Sequence, residues 1–560
     1  MSNRGSSRSG GEHVYRVLRD AGVDLLVGLP GTQTLPLDRV VAASEDIRYV
    51  MARHETAIPH IAWGYYEASG RVAATVTVPG PGETNAMHGL KNALEDCVPI
   101  LHVTGDAAPS EYGQGPIHEI DPHTYDPVVK ANVIVRDATD LPALLSRGVE
   151  TALTPPYGPV RLGVPKAILE SGVDAPATSV EPERIRRDND DRYDRVAELV
   201  NTASRPILYV GGGTRRSPGG RRAIRDLADR LDACVITTYK GKGCFPEDDP
   251  RFLGVSGGSL PPGAVEALRC SDLVIGFGTD LDGPATQGWT LPMGERFVHV
   301  TLDPDDMHAG YDATIRIVAD VAEAATAIGA RIDDDANIER WDPASVGSAV
   351  REEFDDRLDE LGIVDDAEAF YTPAVVRTAR EVLPDDSIVT VDVGGFRLWA
   401  MQLFEAYEPE AFIAAGSWAG MGVGLPAAIE AKLARPERSV VTMTGDGGLL
   451  MCIHELATAA AEDLDIIAIV SNNEDYGIIS KELREHEGVD EHAFTWESPS
   501  FPTIADGFGW ASASCDTIEG LRGALREALD RGGPTLIDVD VPTDEPYASQ
   551  AADFETSVTF

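Results

Sequence analysis

The stretch Val440-Val441-Thr442-Met443-Thr444-Gly445-Asp446-Gly447-Gly448 decides how this chain is read. An apolar run of strand length passes directly into an aspartate flanked by glycines. Residues 449–461 then carry helical patterning, residues 466–470 are a second apolar strand, and Asn472-Asn473 ends it. Two parallel strands joined by a helix would bring Asp446 and Asn473 to neighbouring carboxyl ends, where open α/β sheets bind ligands. A carboxylate and an amide oxygen there, with a carbonyl from the loop after Asn473, make three hard oxygen donors. Magnesium takes such donors and fills its octahedron from phosphate and water. Gly445, Gly447 and Gly448 let a phosphate approach the backbone at a helix N-terminus, where free N–H groups favour anions. Gly-Asp-Gly or Asn-Asn alone would be no more than a tight turn. Their spacing and strand context together predict a diphosphate bridged to the protein by Mg²⁺.

Working outward, the same punctuation recurs along all 560 residues, too many for one hydrophobic core. The strands at 388–391, 439–443 and 466–470 are continuous apolar runs, as parallel strands buried on both faces require. A middle segment opens with the strand 206–210 running into Gly211-Gly212-Gly213, followed by strands at 234–237, 273–277 and 297–302. A first segment alternates a helix at 13–21 with strands at 25–27, 72–78 and 100–103, each closed by Gly/Pro turns. The expected fold is α/β, with three doubly wound parallel-sheet domains at residues 1–175, 190–335 and 370–560. A polar linker is expected at about 174–191, and an acidic, helix-prone one at about 333–366.

The formal net charge is −45, from 92 acidic against 47 basic residues spread along the whole chain. Such a field repels nucleic acid and anionic lipid, which excludes both as expected partners. Dispersed acids also suit a solvated surface in a high-salt cytoplasm, where screening weakens self-repulsion. The polar N-terminal tail has no apolar core of a signal peptide, and no apolar run is long enough to span a bilayer. Cys97, Cys234, Cys244, Cys270, Cys452 and Cys515 form no CxxC pair and are expected as reduced packing thiols. A cytoplasmic protein is expected.

Gly445-Asp446-Gly447 through Asn472-Asn473 resembles the signature of thiamine-diphosphate enzymes. The surrounding text resembles the acetolactate synthase large subunit and its decarboxylase and oxidase relatives, from Gly22 to about Asp540. The resemblance implies that Asp446, Asn473 and the main-chain carbonyl of Asp475 hold the metal, with Gly447 and Gly448 against the diphosphate. Arg53-His54-Glu55 is similar to the segment carrying the family's catalytic carboxylate. Glu55 would bond the cofactor's aminopyrimidine and promote removal of its thiazolium proton, a task that needs a dry pocket, and Ile58 and Ile61 suit it. Pro79-Gly80-Pro81-Gly82-Glu83-Thr84-Asn85 resembles the pyrimidine-contacting loop, with Gly82 and Asn85 as contacts. Gly420-Met421-Gly422-Val423-Gly424-Leu425-Pro426 resembles the stretch whose large apolar residue, here Met421, props the cofactor into its bent form. In this family the carboxylate of one subunit meets the metal of another, which implies a homodimer or homotetramer with shared sites.

The implied substrate is a 2-keto acid, and the cofactor is the electron sink as carbon dioxide leaves. Gly28-Leu29-Pro30-Gly31 and residues 240–248 look like synthase text and favour carboligation. Other positions depart from it: Gly395-Phe396 stands where the synthases have Gln-His, and Ile478-Ile479-Ser480-Lys481-Glu482 replaces their substrate-contacting stretch. His118 precedes Glu119 where they have Gln. Decarboxylase relatives use histidines in this region as proton shuttles, so non-oxidative decarboxylation is the alternative, with His118 as its acid–base group. Synthases and oxidases of this type carry FAD in the middle domain. Gly211-Gly212-Gly213 could admit it, but Thr279-Asp280-Leu281-Asp282-Gly283 replaces the expected arginines and would repel a diphosphate. FAD is therefore admitted by the glycine turn but disfavoured by the acids. A dehydrogenase would need a GxGxxG after its first strand, which is lacking.

Overall fold

The computed structural model describes residues 8–173, 189–308, 310–333, 338–364, 370–484, 494–543 and 545–560. Most of the expected first linker lies outside the described residues. The apolar runs form three six-stranded parallel sheets. The first contains Leu25–Gly28, Arg48–Met51, Ala73–Thr77, Ile100–Thr104, Ala131–Ile134 and Val160–Gly163. The third contains Ile388–Val391, Phe412–Ala414, Val440–Gly445, Ile466–Asn472, Ala511–Cys515 and Thr535–Asp540. Numbered by chain order within each sheet, both run 2-1-3-4-6-5. The central sheet, from Pro206–Val210 to Ile315–Val318, runs 3-2-1-4-5-6. In each, the order reverses beside the first strand, and a crevice opens there at the strands' carboxyl ends. All the motifs quoted above lie at or next to these three crevices.

Two local expectations are corrected, and the helix expected in the second linker is present. Residues 79–85 are not all loop: the helix Pro81–Glu95 begins inside them, since a proline at the first helical position costs no hydrogen bond. Gly82 and Asn85 therefore sit in its first turn. The helix expected at 449–461 starts earlier, as Asp446–Cys452, and resumes as Leu456–Ala461 after a 3₁₀ turn. The second linker contains the helix Pro343–Leu361, capped by Asp342 and stopped by Gly362 at φ +63°. Its Val346 and Val350 enter the central core, and Phe354 and Leu358 the C-terminal one, so it braces two domains.

The N- and C-terminal domains share one core, built where the helix Ala57–Ser69 lies on Gly424–Ala434. Gly64 makes the close approach possible: a Cβ there would stand 2.7 Å from Ala427 Cα. Beside this contact Glu67, wholly buried, pairs with Arg215, with Arg216 at 2.6 Å and with Lys240 at 3.4 Å. Lys240 also reaches Asp96 at 2.9 Å, and Arg215 donates to the carbonyls of Pro409 and Phe412. One ionic cluster thus ties all three domains. Burial would raise the Glu67 carboxyl, but Lys240, Arg216 and Arg215 outweigh it and hold it at about 2. Its stabilisation is therefore complete above the ordinary glutamate range and fades as pH falls from about 4.5 toward about 2. Glu67→Gln leaves buried cations uncompensated and is expected to cost about 3–5 kcal/mol at neutral pH. Denaturant unfolding of both proteins at stepped pH should show that gap closing across the acid window. A gap independent of pH would remove Glu67's charge from the account.

Candidate active site

The C-terminal crevice, between Ile388–Val391 and Val440–Gly445, holds a cavity of about 250 Å³. Gly445, Asp446, Gly447, Gly448, Asn473, Asp475 and Met421 line it. The register explains why the motif's two halves meet: Gly445 pairs with Ser471 on the adjacent strand, so the turns that follow emerge side by side. Asp446 Oδ2 accepts from the Glu474 N–H at 3.0 Å and the Ser498 hydroxyl at 3.2 Å. Asn473 Oδ1 accepts from the Asp475 N–H at 3.2 Å. Burial pushes the Asp446 carboxyl up to about 6, and a dication beside it would reverse that push.

Among the described residues, no group of three or more His, Cys, Asp or Glu side chains could hold a metal. The metal reading therefore rests on the mixed set of one carboxylate, one amide and one main-chain carbonyl, a hard-oxygen set that fits Mg²⁺ with phosphate and water. The backbone beside it must stay bare. A Cβ on Gly448 would stand 2.9 Å from Thr444 Oγ1, and one on Gly447 2.8 Å from Tyr476 Cε1. Lys481 and Arg484 are the cations of the cavity wall. Gly395 faces the Tyr547 ring, 3.4 Å from where its Cβ would be, and Lys481 lies 3.9 Å over that ring.

Asp392, at the end of Ile388–Val391, is wholly buried and organises the turn bearing Met421. It accepts from the N–H groups of Val393 (2.7 Å), Gly422 (2.9 Å) and Gly424 (3.3 Å), and from the Thr444 hydroxyl (3.2 Å). Asp392→Ala strips these donors of their acceptor and is expected to cost about 2–4 kcal/mol, read as a lower denaturation midpoint. An unchanged midpoint would mean the turn is held by something else. Gly420 lies outside the cavity wall, against the His88 ring: its Cβ would fall 1.8 Å from Cε1. The space it leaves serves packing between domains.

The N-terminal crevice lies between Leu25–Gly28 and Ala73–Thr77. Here Asn85 Nδ2 donates to Glu55 Oε2 at 3.1 Å, and a Cβ on Gly82 would stand 3.3 Å from Glu55 Oε1. Ile58 and Ile61 behind it are fully buried. The segment carrying Glu55 is fixed by the chain's own C-terminal domain, since Glu455 Oε1 accepts from the N–H groups of Arg53 and His54, each at 3.0 Å. Glu83, next to Gly82, is buried with Arg161 and Asp106 and anchors the helix start from below. Burial pushes the Glu83 carboxyl up to about 7 despite Arg161. His118 holds a left-handed backbone (φ +64°) against Gly80, with its Nδ1 3.4 Å from Gln33 Nε2.

The structure thus brings Glu55, Gly82 and Asn85 together at one crevice, with His118 over its Gly80, and Met421, Asp446, Asn473 and Asp475 together at another. Among the described residues, no hydrogen bond or ion pair joins the two sets. Sequence reasoning missed Asp392 and Glu455. A lone carboxylate ending an apolar strand before Gly394-Gly395 was a usable signal for the first. Nothing local marks Glu455, whose partners are some four hundred residues away in the chain.

Comparison with known proteins accords with this division. Residues 8–125 match the thiamine pyrophosphate enzyme N-terminal TPP binding domain, 193–328 its central domain and 392–539 its C-terminal TPP binding domain. The acetolactate synthase isozyme 1 large subunit of Escherichia coli is 28 % identical over 556 residues, covering 96 % of this chain and 94 % of that protein. A probable acetolactate synthase large subunit of Methanocaldococcus jannaschii is 29 % identical over 560 residues, covering 95 % and 91 %. A probable chloroplastic acetolactate synthase 2 of Oryza sativa is 31 % identical over 563 residues, covering 96 % and 84 %. With two ligand crevices of like topology flanking a central Rossmann-like domain, and relatives matching from end to end, the chain belongs to the thiamine pyrophosphate enzyme family.

Proposed function

We propose that this chain is the catalytic subunit of an acetolactate-synthase-type carboligase that joins 2-keto acids, with thiamine diphosphate and Mg²⁺ as cofactors. The observation that carries it is the pair of half-sites, a carboxylate with an amide at one crevice and a hard-oxygen metal set at the other. The end-to-end likeness to proteins named acetolactate synthase supports the choice of reaction. Thiamine diphosphate, when bound, supplies an electron sink for the carbon left by loss of carbon dioxide. Asp446, Asn473 and the Asp475 carbonyl would hold the metal, and bare backbone at Gly447 and Gly448 would receive the diphosphate. Met421 would set the cofactor's bend, with Asp392 holding its turn. Glu55 would move a proton at the aminopyrimidine, oriented by Asn85 and Gly82.

We assign the complete site to two copies of the chain. Tyr476, Ile478 and Ile479 beside the cavity, and Met451 and Trp418 nearby, are each more than a third exposed, an apolar surface that calls for a cover. A dimer of such chains, or a pair of dimers, would also exclude water from the reaction. Free cysteines throughout the described residues support a reducing cytoplasm, and the charge of −45 supports a protein that needs salt to stay folded. No helix of the described residues is long and apolar enough to cross a membrane.

The test is to supply pyruvate to the protein in high salt with thiamine diphosphate and Mg²⁺, following acetolactate and acetaldehyde. Acetolactate is expected. Acetaldehyde alone would favour the decarboxylase reading, which His118 beside Gln33 supports, and would make His118 the next residue to change.

A further inference from the structure

We infer that the central domain of this chain takes no flavin dinucleotide, because its crevice offers a diphosphate no unclaimed cation and faces it with carboxylates. The crevice lies where the sheet order reverses, between Pro206–Val210 and Leu273–Phe277, and encloses about 340 Å³. That is where a doubly wound sheet receives a dinucleotide, and Gly211-Gly212-Gly213 stands where such a turn belongs.

The glycines are spent on the chain itself. A Cβ on Gly211 would stand 2.3 Å from the Gly278 carbonyl oxygen, one on Gly213 2.8 Å from Gly278 Cα, and one on Gly212 2.9 Å from Lys240 Cβ. Their smallness lets the loops after the two strands touch, and the N–H groups of Gly211 and Gly213 are already given to the carbonyls of Phe277 and Gly278, each at 2.8 Å. The helix that follows is only Gly213–Arg216 and gives way to Ser217-Pro218.

Charge makes the same case. The cations of the wall are Arg216 and Lys240. Arg216 donates to Glu67 and to the carbonyls of Gly212 and Cys97, and Lys240 to Asp96 and the Ala414 carbonyl. Both belong to the cluster that ties the three domains. Facing them in the wall are Asp280, Asp282, Asp303, Asp306 and Asp320. Asp282 and Asp320 are held by Tyr239, Ser217 and backbone N–H groups, but burial and mutual repulsion push the Asp280 carboxyl up to about 6 and Asp306 to about 7. A carboxylate suits ribose hydroxyls. A dinucleotide's diphosphate, however, would meet a wall rich in carboxylates whose two cations are already paired.

The test uses the full-length protein purified with thiamine diphosphate and Mg²⁺ in high salt. Flavin is released by acid and measured, and the protein is then dialysed to equilibrium against FAD, against ADP and against adenosine. The expected result is trace flavin, with FAD and ADP at equal concentration on both sides of the membrane. Flavin near one per chain, or saturable retention of FAD or ADP, would overturn the inference. Retention of adenosine alone would support it, since that ligand lacks the diphosphate. A parallel Asp280→Arg variant should gain FAD retention if charge is the barrier, and its thermal midpoint checks folding. None of these readings depends on pyruvate turnover, so they stand or fall apart from the proposed reaction.

Discussion

Glu55→Gln is expected to lower turnover about 10²–10⁴-fold while leaving thermal stability and thiamine diphosphate affinity near those of the parent. Glutamine keeps the shape of the side chain and an oxygen for the Asn85 amide, now 3.1 Å from Glu55 Oε2. The Arg53-His54 backbone stays tied to Glu455, so the segment should not move. What glutamine cannot do is exchange a proton with a ring nitrogen. The loss should therefore fall on the rate and not on binding, and the intrinsic fluorescence change on adding cofactor, with Trp496 beside Tyr476 as reporter, should titrate unchanged. Asp446→Ala is the contrast. It should abolish Mg²⁺-dependent cofactor binding and activity together. A Glu55→Gln protein that turns over like the parent would remove Glu55 from proton transfer and direct attention to His118.

Much of this was legible because parallel strands buried on both faces carry an unmistakable pattern. Val440–Gly445 and Ile466–Asn472 read as apolar runs, and their turns carry the glycines, the carboxylate and the amide in the open. Some edge strands were missed because none carries a long apolar run: Arg48–Met51 is largely exposed, Ala511–Cys515 is mostly alanine and serine, and Phe412–Ala414, though buried, has three residues. The start of the helix at Pro81 was read as loop because Gly-Pro-Gly signals a turn and a helix start alike. The anchors Asp392 and Glu455 escaped for a different reason. A buried carboxylate that holds backbone N–H groups has no spacing rule; its partners are set by packing between distant segments. The three-domain cluster around Glu67 likewise joins residues whose only common signal is burial. In the central crevice the glycine turn was legible, but not that it packs against Gly278.

Mixing Glu55→Gln with Asp446→Ala, each inactive alone, is expected to restore about a quarter of the parent activity. Random reassociation makes half of the dimers mixed. If Glu55 of one chain serves the metal half-site of the other, each mixed dimer holds one site with both defects and one with neither. One intact site in four follows. The geometry favours this outcome, because among the described residues no hydrogen bond or ion pair joins Glu55, Gly82 or Asn85 to Asp446, Asn473 or Asp475, while the surface beside the cavity is apolar and open. The restored activity should grow with incubation time as subunits exchange, and should be greatest at equal amounts of the two variants. If both half-sites instead served one active centre within a single chain, no ratio of the two proteins would recover turnover. That result would move the exposed Tyr476, Ile478 and Ile479 from a subunit interface to a surface that some closure within the chain must cover.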